Sequence, residues 1–283
     1  VGLYRAGFEK DITWKEFKTK DNTIEFVNSE KELLKKTAEY IHQYAPEILT
    51  GYFSDGFDLP YIQARCKINN VAFSIGLDRS SMLVRKSSGA RSAEVKITGI
   101  VHLDMFKFIK QIFGLDLKVD SYNLDTIAEK LLGSKKQVVN LDQLSEIWDN
   151  NPEQLEQFCS YNLHDARLTY LLCEKLLLDM IEFSTITGLP LFDVTRMRFG
   201  RLVESYILKK AIGLNIIAPN RPGDHEMEGR LNESIQGAFV FEPKPGLYKN
   251  IVVFDFRSLY PTIIVSHNIG PGSLYCSCCP ENK

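Results

Sequence analysis

The sequence contains little cysteine, no long hydrophobic run and no excess of positive charge. Six cysteines in 283 residues are too few for a disulfide-dense secreted domain, so we expect a reducing compartment, the cytoplasm or, in a eukaryote, the nucleus. Because no apolar run is long enough to cross a bilayer, we expect no membrane partner. Lysine and arginine together number 34 against 36 acids, so bulk charge neither supports nor excludes nucleic-acid binding.

Helical and strand-like patterns alternate along the chain. Residues 29–32, Ser-Glu-Lys-Glu, are a capping box and predict the start of a helix, and residues 48–52 form a short segment typical of a buried strand. The dipeptide Asn151-Pro152 predicts the start of a long helix that reaches about residue 183, and a further helix is predicted over 194–212. Such a mixture of elements indicates an α/β protein.

A first candidate site lies where the predicted strand ends. The glycine-containing turn that follows it presents Asp58 just before a helix, and ligand sites in α/β sheets lie at the carboxyl ends of strands. A carboxylate at this place is well positioned to hold a metal ion. Alternatively, Asp55 and Asp58 are turn and helix-capping residues, a role that aspartate favours, and spacing alone favours this second interpretation.

The long predicted helix carries a second candidate. Tyr161 and Asp165 are four residues apart and share one face of that helix, whose apolar residues indicate that much of it is buried. A buried carboxylate needs a partner, and a metal ion would supply one. A solvated or hydrogen-bonded pair is an equally consistent interpretation. His164 lies on a different face and is predicted to be a surface residue, not a ligand.

A third acid follows an almost wholly apolar segment. Residues 251–254, Ile-Val-Val-Phe, predict a buried strand with Asp255 at its end. Burying an unpaired charge is costly, so a buried strand rarely carries one. Asp255 therefore needs a cation, and an ordinary strand-end aspartate is the alternative. Pro261 is well placed to start the next helix.

Two further groups of side chains are weaker candidates. Three arginines could contact nucleic-acid phosphates, although a solvated helix face explains such a pattern more often; they are Arg196, Arg198 and Arg201. Three cysteines near residue 280 could be half of a zinc site, but no partner His or Cys follows them in this sequence; they are Cys276, Cys278 and Cys279.

In order along the chain, the segments that carry the three acids resemble the family B DNA polymerases, and the archaeal replicative type most closely. The segment from Asp255 to Pro261, Asp-Phe-Arg-Ser-Leu-Tyr-Pro, is similar to the first motif of the polymerase palm domain and is the most specific signal. Tyr52 to Tyr61 resembles the second exonuclease motif, and Tyr161-x-x-x-Asp165 matches the third. The resemblance covers nearly the whole chain.

The resemblance implies a role for each residue of the exonuclease motifs. Asp58 and Asp165 would help to hold two divalent metal ions, Mg²⁺ or Mn²⁺, and Tyr161 would orient the attacking water. Two ions about 4 Å apart stabilise both the attacking and the leaving oxygen of a phosphoryl displacement, so no protein nucleophile is needed. Mg²⁺ prefers oxygen ligands such as carboxylates.

In the polymerase half, the resemblance assigns Asp255 to a second pair of divalent ions, which bind the triphosphate of the incoming nucleotide. Tyr260 would act as a steric gate, since its ring would occupy the space that a ribose 2′-hydroxyl needs, and that hydroxyl separates RNA from DNA. The backbone of the four intervening residues would lie along the triphosphate; they are Phe256, Arg257, Ser258 and Leu259.

The organisation of the family divides the chain into three parts. Residues 1–183 would be an α/β, RNase H-like (DnaQ-type) 3′→5′ exonuclease domain, residues 184–222 a connecting helix and linker, and residues 223–283 the first part of the palm domain. The implied function is DNA-directed DNA polymerisation with proofreading on primer-template DNA and dNTPs, with a sliding clamp as a further expected partner. A stand-alone 3′→5′ exonuclease and a non-catalytic subunit of a split polymerase are the alternatives.

Some motifs of the family are absent from the sequence. The Asp-x-Glu of the first exonuclease motif is not found, and we expect its strand before residue 1. The Tyr-x-Asp-x-Asp polymerase motif is also missing. The linker motif is present as residues 235–238, Ile-Gln-Gly-Ala, without its usual tyrosine.

The chain of 283 residues is expected to catalyse neither reaction by itself, because the nuclease site lacks a strand with ligands and the palm lacks its second carboxylate. A labelled primer annealed to a template should be neither extended with Mg²⁺ and dNTPs nor shortened with Mg²⁺ alone. Gel electrophoresis of the primer measures both outcomes. Mg²⁺-dependent incorporation of nucleotides by this chain would contradict the prediction.

Overall fold

A computed structural model describes most of the chain, namely residues 2–3, 17–18, 23–86, 93–114, 116–134, 155–218, 220, 222–232, 237–270 and 272–273. It separates into two compact units, Val1–Pro219 and Asn220–Lys283. The functional boundaries predicted at residues 183 and 222 stay predictions. Among the described residues, no helix has both the length and the apolar character that crossing a membrane requires.

The strands of the first unit are short and form three small groups. β1 is parallel to β3 and β2 is antiparallel to β3, β4 is parallel to β7, and β5 and β6 form an antiparallel pair. The seven strands are β1 (Gly2–Leu3), β2 (Phe17–Lys18), β3 (Thr23–Phe26), β4 (Ile48–Gly51), β5 (Leu83–Lys86), β6 (Ala93–Lys96) and β7 (Val101–Asp104). The predicted strand at 48–52 is confirmed as β4.

The first helix, α1 (Glu30–Tyr44), begins at the predicted capping box. The Ser29 hydroxyl accepts a hydrogen bond from the Glu32 backbone N–H at 3.1 Å. In return, the Glu32 carboxylate accepts from the backbone N–H of Asn28 at 3.0 Å, one residue before the cap. The helix ends at Tyr44 and Ala45 turns left-handed, because the residue before Pro46 is disfavoured in the α-helical region.

The remaining described helices of the first unit lie between the strands and after the last strand in the sequence. They are α2 (Asp58–Ile68), α3 (Met105–Phe108) with a π-helical turn at Ile109–Phe113, α4 (Leu124–Leu132), α5 (Leu155–Thr187), α6 (Leu191–Val194) and α7 (Phe199–Gly213). The long predicted helix is thus confirmed as α5, and it extends four residues beyond 183. The predicted start of that helix, Asn151-Pro152, lies outside the described residues.

The helix predicted over 194–212 is divided in two. A short helix, α6, ends at Val194, and α7 begins at Phe199. Between them Thr195 and Arg196 form a turn. The backbone N–H of Arg196 donates to the carbonyl of Asp193 at 3.0 Å. This turn directs the Arg196 side chain inward, which the helical pattern alone does not reveal.

Helix α5 is the central element of the larger hydrophobic core. Its residues Leu172 and Met180 are completely buried, and they pack in one cluster with Leu103 of β7, Ile127 of α4 and Leu202 of α7. The cluster therefore joins the parallel strand pair to helices that lie before and after α5 in the sequence. A second cluster lies between α1, α2 and the strands β5 and β6.

The second unit contains two described helices, α8 (Asp224–Asn232) and α9 (Leu259–Ser266). The predicted buried strand at 251–254 is wrong for this structure. The segment has no strand pairing among the described residues, and Val253 and Phe254 are 87% and 89% exposed. A strand needs a neighbour for its backbone N–H and C=O groups, and the described part of this unit provides none. Pro261 lies in the first turn of α9, as predicted.

Changing Leu172 to Ala should lower the free energy of unfolding by about 2–5 kcal/mol, because the completely buried side chain would leave a cavity in the main core. The matched control is Leu178→Ala on the same helix, where the side chain is 73% exposed; its change should stay within about 0.5 kcal/mol. Urea unfolding followed by far-ultraviolet circular dichroism measures both. Equal losses for the two variants would contradict the described core.

Candidate active site

The parallel strands β4 and β7 end side by side, next to the first predicted acid. Their register pairs Gly51 with Asp104 at the carboxyl ends of both strands. The turn that follows β4 leads to Asp58, which is the first residue of α2. The predicted placement of Asp58 between the end of a strand and the start of a helix is therefore confirmed, at the edge of the sheet where ligands bind in α/β proteins.

Asp104 is completely buried and fixes the turn after β4. One of its carboxylate oxygens accepts from the backbone N–H groups of Phe53 at 3.1 Å and Lys107 at 3.2 Å. The other accepts from the backbone N–H of Asp55 at 3.0 Å. Burial raises the pKa of Asp104, and the backbone donors oppose that rise. The sequence analysis did not identify this residue as part of the site.

Asp55 is a second completely buried carboxylate in the same turn. Its Oδ2 accepts from Lys107 Nζ at 2.8 Å and from Arg196 Nε at 2.9 Å. Its Oδ1 accepts from the backbone N–H of Val95 at 2.8 Å and lies 3.3 Å from Nδ1 of His102. Burial alone would raise the pKa of Asp55, but the bonds and charges of His102, Arg196 and Lys107 outweigh it and hold the pKa well below its usual range.

Arg196 differs from both interpretations that the sequence allowed. Its side chain is only 4% exposed, so it is neither solvated nor free to contact a phosphate. Besides Asp55, the guanidinium donates to the backbone carbonyls of His102 and Phe192, both at 3.0 Å, and it lies 3.6 Å from the centre of the Phe192 ring. The other two arginines are exposed, and Arg201 pairs with Glu204 on the surface.

One signal in the sequence could have indicated the buried ion pairs. Lys107 stands in the run Met-Phe-Lys-Phe-Ile, residues 105–109, where a lysine surrounded by large apolar side chains needs a buried anion. No comparable signal singles out Arg196, which lies 141 positions from Asp55 in the sequence. Only the packing of the chain reveals that pair.

Asp58 is exposed at the start of α2. Loss of solvation is the largest cause that raises the pKa of Asp58, and the negative charge of Asp104 adds to it. A backbone hydrogen bond at Asp58 and the charge of His102 oppose the rise. A cation beside the Asp58 carboxylate would favour its ionised form.

Tyr161 and Asp165 are brought together on α5, as predicted. The hydrogen bond from the Tyr161 hydroxyl lowers the pKa of Asp165, but burial and the charge of Asp125 on α4 dominate and raise it. Asp165 Oδ1 is buried without a hydrogen-bond partner among the described residues. The prediction that His164 is a simple surface residue is wrong, because its Nε2 is also buried without a described partner.

The orphaned oxygen of Asp165 fits a divalent cation, because carboxylate oxygens are the ligands that Mg²⁺ prefers. Asp58 presents a second, exposed carboxylate whose pKa is raised chiefly by loss of solvation. Within the described ranges, no group of three or more His, Cys, Asp or Glu side chains is arranged to hold a metal ion. Asp58 and Asp165 are therefore candidates for single carboxylate ligands.

The third predicted acid lies in the second unit. Asp255 is exposed in a segment without regular secondary structure that precedes α9, which corrects the expectation of a buried strand end. Ser258 adopts a left-handed conformation with φ of 51° immediately before the helix, and Tyr260 is 74% exposed in its first turn. The predicted zinc half-site lies outside the described residues.

Two family models match the chain in sequence order. The model described as "DNA polymerase family B, exonuclease domain" matches residues 5–127, and the model described as "DNA polymerase family B" matches residues 192–282. The first match includes Asp58, and the second includes Asp255. Arg196 also lies within the second match, although its side chain is buried in the first compact unit.

Individual relatives show the same likeness. The chain is 35% identical to the DNA polymerase of Pyrococcus horikoshii over 272 residues, which are 96% of this chain and 21% of that protein. It is 33% identical to the DNA polymerase of Thermococcus sp. (strain 9oN-7), covering 98% of this chain and 35% of the relative. The chain therefore spans about a fifth to a third of the length of these relatives.

A solved structure is also similar. The family B DNA polymerase from the hyperthermophilic archaeon Pyrobaculum calidifontis matches with a TM-score of 0.62 and 30% sequence identity, over 84% of this chain and 30% of the other. The structural likeness thus agrees with the sequence likeness in assigning the fold.

Changing Asp55 to Asn should lower the free energy of unfolding at neutral pH by about 3–5 kcal/mol, because Lys107 and Arg196 would lose their buried counter-ion. The pKa of Asp55 is depressed in the folded chain, so its stabilising effect is complete above the unfolded pKa of about 3.9 and is lost as the pH falls towards the folded pKa. The difference between the two proteins should therefore shrink below about pH 4.

Urea unfolding of both proteins at a series of pH values measures this difference. The exposed Asp116→Asn variant is the control and should follow the unaltered chain at every pH. The free energies of unfolding of the Asp55 variant and the unaltered chain could instead differ by a constant amount through the acid range. That result would show that the Asp55 carboxylate is not held ionised by its neighbours.

Proposed function

Because the chain belongs to the family B DNA polymerases, we propose that it is part of a DNA-directed DNA polymerase that proofreads by 3′→5′ exonuclease activity. The chain comprises the exonuclease domain of this family and the start of the polymerase domain. The observation that carries the proposal is the order of the two matches, each with a predicted catalytic acid inside it. The substrates of such an enzyme are primer-template DNA and dNTPs, and a sliding clamp is a further proposed partner.

In the nuclease half, Asp58 and Asp165 would hold divalent cations. Family B polymerase and exonuclease domains generally use divalent metals. The oxygen of Asp165 that is buried without a described partner and the exposed Asp58 carboxylate at the start of α2 support these two residues as ligands. Bound Mg²⁺ or Mn²⁺, two per site, would stabilise the negative charge on the attacking and leaving oxygens.

Tyr161 acts as a hydrogen-bond donor at the nuclease site. Burial and the nearby charge of Asp165 raise the pKa of Tyr161, so its hydroxyl keeps its proton at neutral and moderately alkaline pH. The single O–H of a protonated phenol can donate either to the Asp165 carboxylate or to an attacking water, and it would be free for the water when Asp165 holds a cation. The one-turn spacing on α5 fixes the two groups relative to each other.

In the polymerase half, Asp255 would hold divalent cations, which would supply positive charge for the triphosphate of the incoming dNTP. The exposed position of Asp255 before α9 leaves the carboxylate accessible to a ligand. Tyr260 excludes the ribose 2′-hydroxyl. The residues between these two contribute their backbone to triphosphate binding; they are Phe256, Arg257, Ser258 and Leu259.

The two activities should be lost separately in variants of the protein encoded by the complete reading frame that contains these residues. Asp58→Asn and Asp165→Asn should each lower Mg²⁺-dependent shortening of a 5′-labelled DNA strand on the order of 100-fold or more while primer extension persists, because only the nuclease ligands change. Asp255→Asn should have the opposite pattern. Single-turnover assays on one primer-template measure both reactions.

Asp179→Asn provides the matched control, since it changes an exposed acid on the same helix as Asp165 and should alter neither reaction. Primer extension that survives Asp255→Asn would overturn the polymerase half. Nuclease activity that is unaffected by both Asp58→Asn and Asp165→Asn would overturn the nuclease half. An unaltered protein with nuclease activity and no extension would favour the stand-alone exonuclease.

A further inference from the structure

The turn that carries Asp58 is attached to the rest of the protein through buried bonds on both sides. Within the turn, the backbone N–H of Phe57 donates to the Phe53 carbonyl at 3.0 Å, and that of Leu59 donates to the Ser54 carbonyl at 3.1 Å. The Ser54 hydroxyl lies 2.8 Å from Nε2 of His102. The position of Asp58 at the start of α2 therefore depends on how residues 53–55 are held.

The Asp55 carboxylate accepts hydrogen bonds from two cationic side chains that come from distant parts of the chain. Lys107 reaches this carboxylate from α3, and Arg196 reaches it from the turn between α6 and α7. Lys107 Nζ also donates a hydrogen bond to the backbone carbonyl of Ala93 at 2.6 Å. Lys107 and Arg196 therefore each bond to a backbone carbonyl as well as to Asp55. The carboxylate of Asp55 cannot shift without breaking these buried, charge-assisted hydrogen bonds.

Arg196 makes several contacts in addition to its ion pair with Asp55. Beyond Asp55, its guanidinium bonds to the Thr195 hydroxyl at 3.0 Å and lies 3.1 Å from Nδ1 of His102. It also lies 3.6 Å from the centre of the Phe192 ring, and Lys96 Nζ lies 4.7 Å from the same centre. His102 therefore contacts both Arg196 and Ser54, so the guanidinium supports the turn by two routes.

We propose that Arg196 is a positioning residue of the exonuclease site, which acts through Asp55 and His102 to place the Asp58 carboxylate for cation binding. The proposal rests on the proposed function, because it requires that Asp58 bind a divalent ion. It also has a consequence for the organisation of the chain: a residue from the segment that matches the polymerase model completes the support of the nuclease site. Residues that orient a metal ligand typically contribute about 10–100-fold to metal affinity or activity.

The test uses the protein encoded by the complete reading frame and the variant Arg196→Met, which keeps an unbranched, though shorter, side chain and removes the donors. The Mg²⁺ concentration that gives half-maximal nuclease rate should rise roughly tenfold, while that for primer extension stays unchanged. Arg198→Met, an exposed arginine two positions away, is the matched control and should change neither value. All assays are run well below the unfolding temperature of each variant.

A binding measurement separates positioning from general destabilisation. Mn²⁺ affinity is measured by titration without DNA, in proteins that all carry Asp255→Asn so that the polymerase cation does not contribute. Arg196→Met should weaken Mn²⁺ binding roughly tenfold when Asp58 is present and have no further effect in an Asp58→Asn background. Its effect on the unfolding temperature should be the same in both backgrounds, because Asp58 is not a partner of the buried ion pairs.

If Arg196→Met does not fold, Thr195→Val is the second variant. It preserves the shape of the side chain and removes one acceptor of the guanidinium. The Mg²⁺ concentration for half-maximal nuclease rate should then rise roughly twofold to threefold. Unchanged Mg²⁺ and Mn²⁺ constants in a folded Arg196→Met protein would overturn the positioning role while leaving the proposed function intact. If Asp58→Asn itself leaves Mn²⁺ binding and nuclease activity unchanged, the proposed function fails instead.

Discussion

A carboxylate without solvent can remain ionised only if donors and cations surround it, and the first unit is organised around one that meets this requirement. Asp55 receives a backbone N–H from β6, the Lys107 ammonium from α3 and the Arg196 guanidinium from the turn before α7. Loss of any one partner would leave an incompletely neutralised charge in the interior, where that is costly. These bonds therefore connect β6, α3 and the turn before α7 to the turn that carries Asp55.

Four acids of the first unit differ in the direction of their pKa shifts. Asp55 has buried cations as partners, and its pKa is lowered. Burial raises the pKa values of Asp58, Asp104 and Asp165, and a neighbouring acid adds to each rise. Asp104 accepts hydrogen bonds from backbone donors, whereas one oxygen of Asp165 is buried without a hydrogen-bond partner among the described residues. The partners of each carboxylate, and not the direction of its pKa shift, therefore distinguish the structural acids from the proposed ligands.

The boundary between the compact units does not coincide with the boundary between the family matches. The polymerase model begins to match at residue 192, but α6 and α7 contribute Val194 and Leu202 to the core of the first unit. The helix that follows α5 is thus part of the nuclease unit by packing and part of the polymerase match by sequence. In the second unit, the apolar segment 251–254 is exposed, because an extended strand buries its side chains only when neighbouring strands and helices cover them.

Several local elements could be predicted from the sequence alone. The capping box at residues 29–32, the alternation of strands and helices, and the one-turn spacing of Tyr161 and Asp165 depend on neighbours within a few positions, so their outcomes could be predicted. Which distant charges meet depends instead on how the chain packs. Arg196 and Asp55 are 141 positions apart, and a salt bridge of that kind follows from packing, which leaves no periodic signal in either segment. The same reason explains the error at 251–254, since strand formation requires partners that local sequence does not supply.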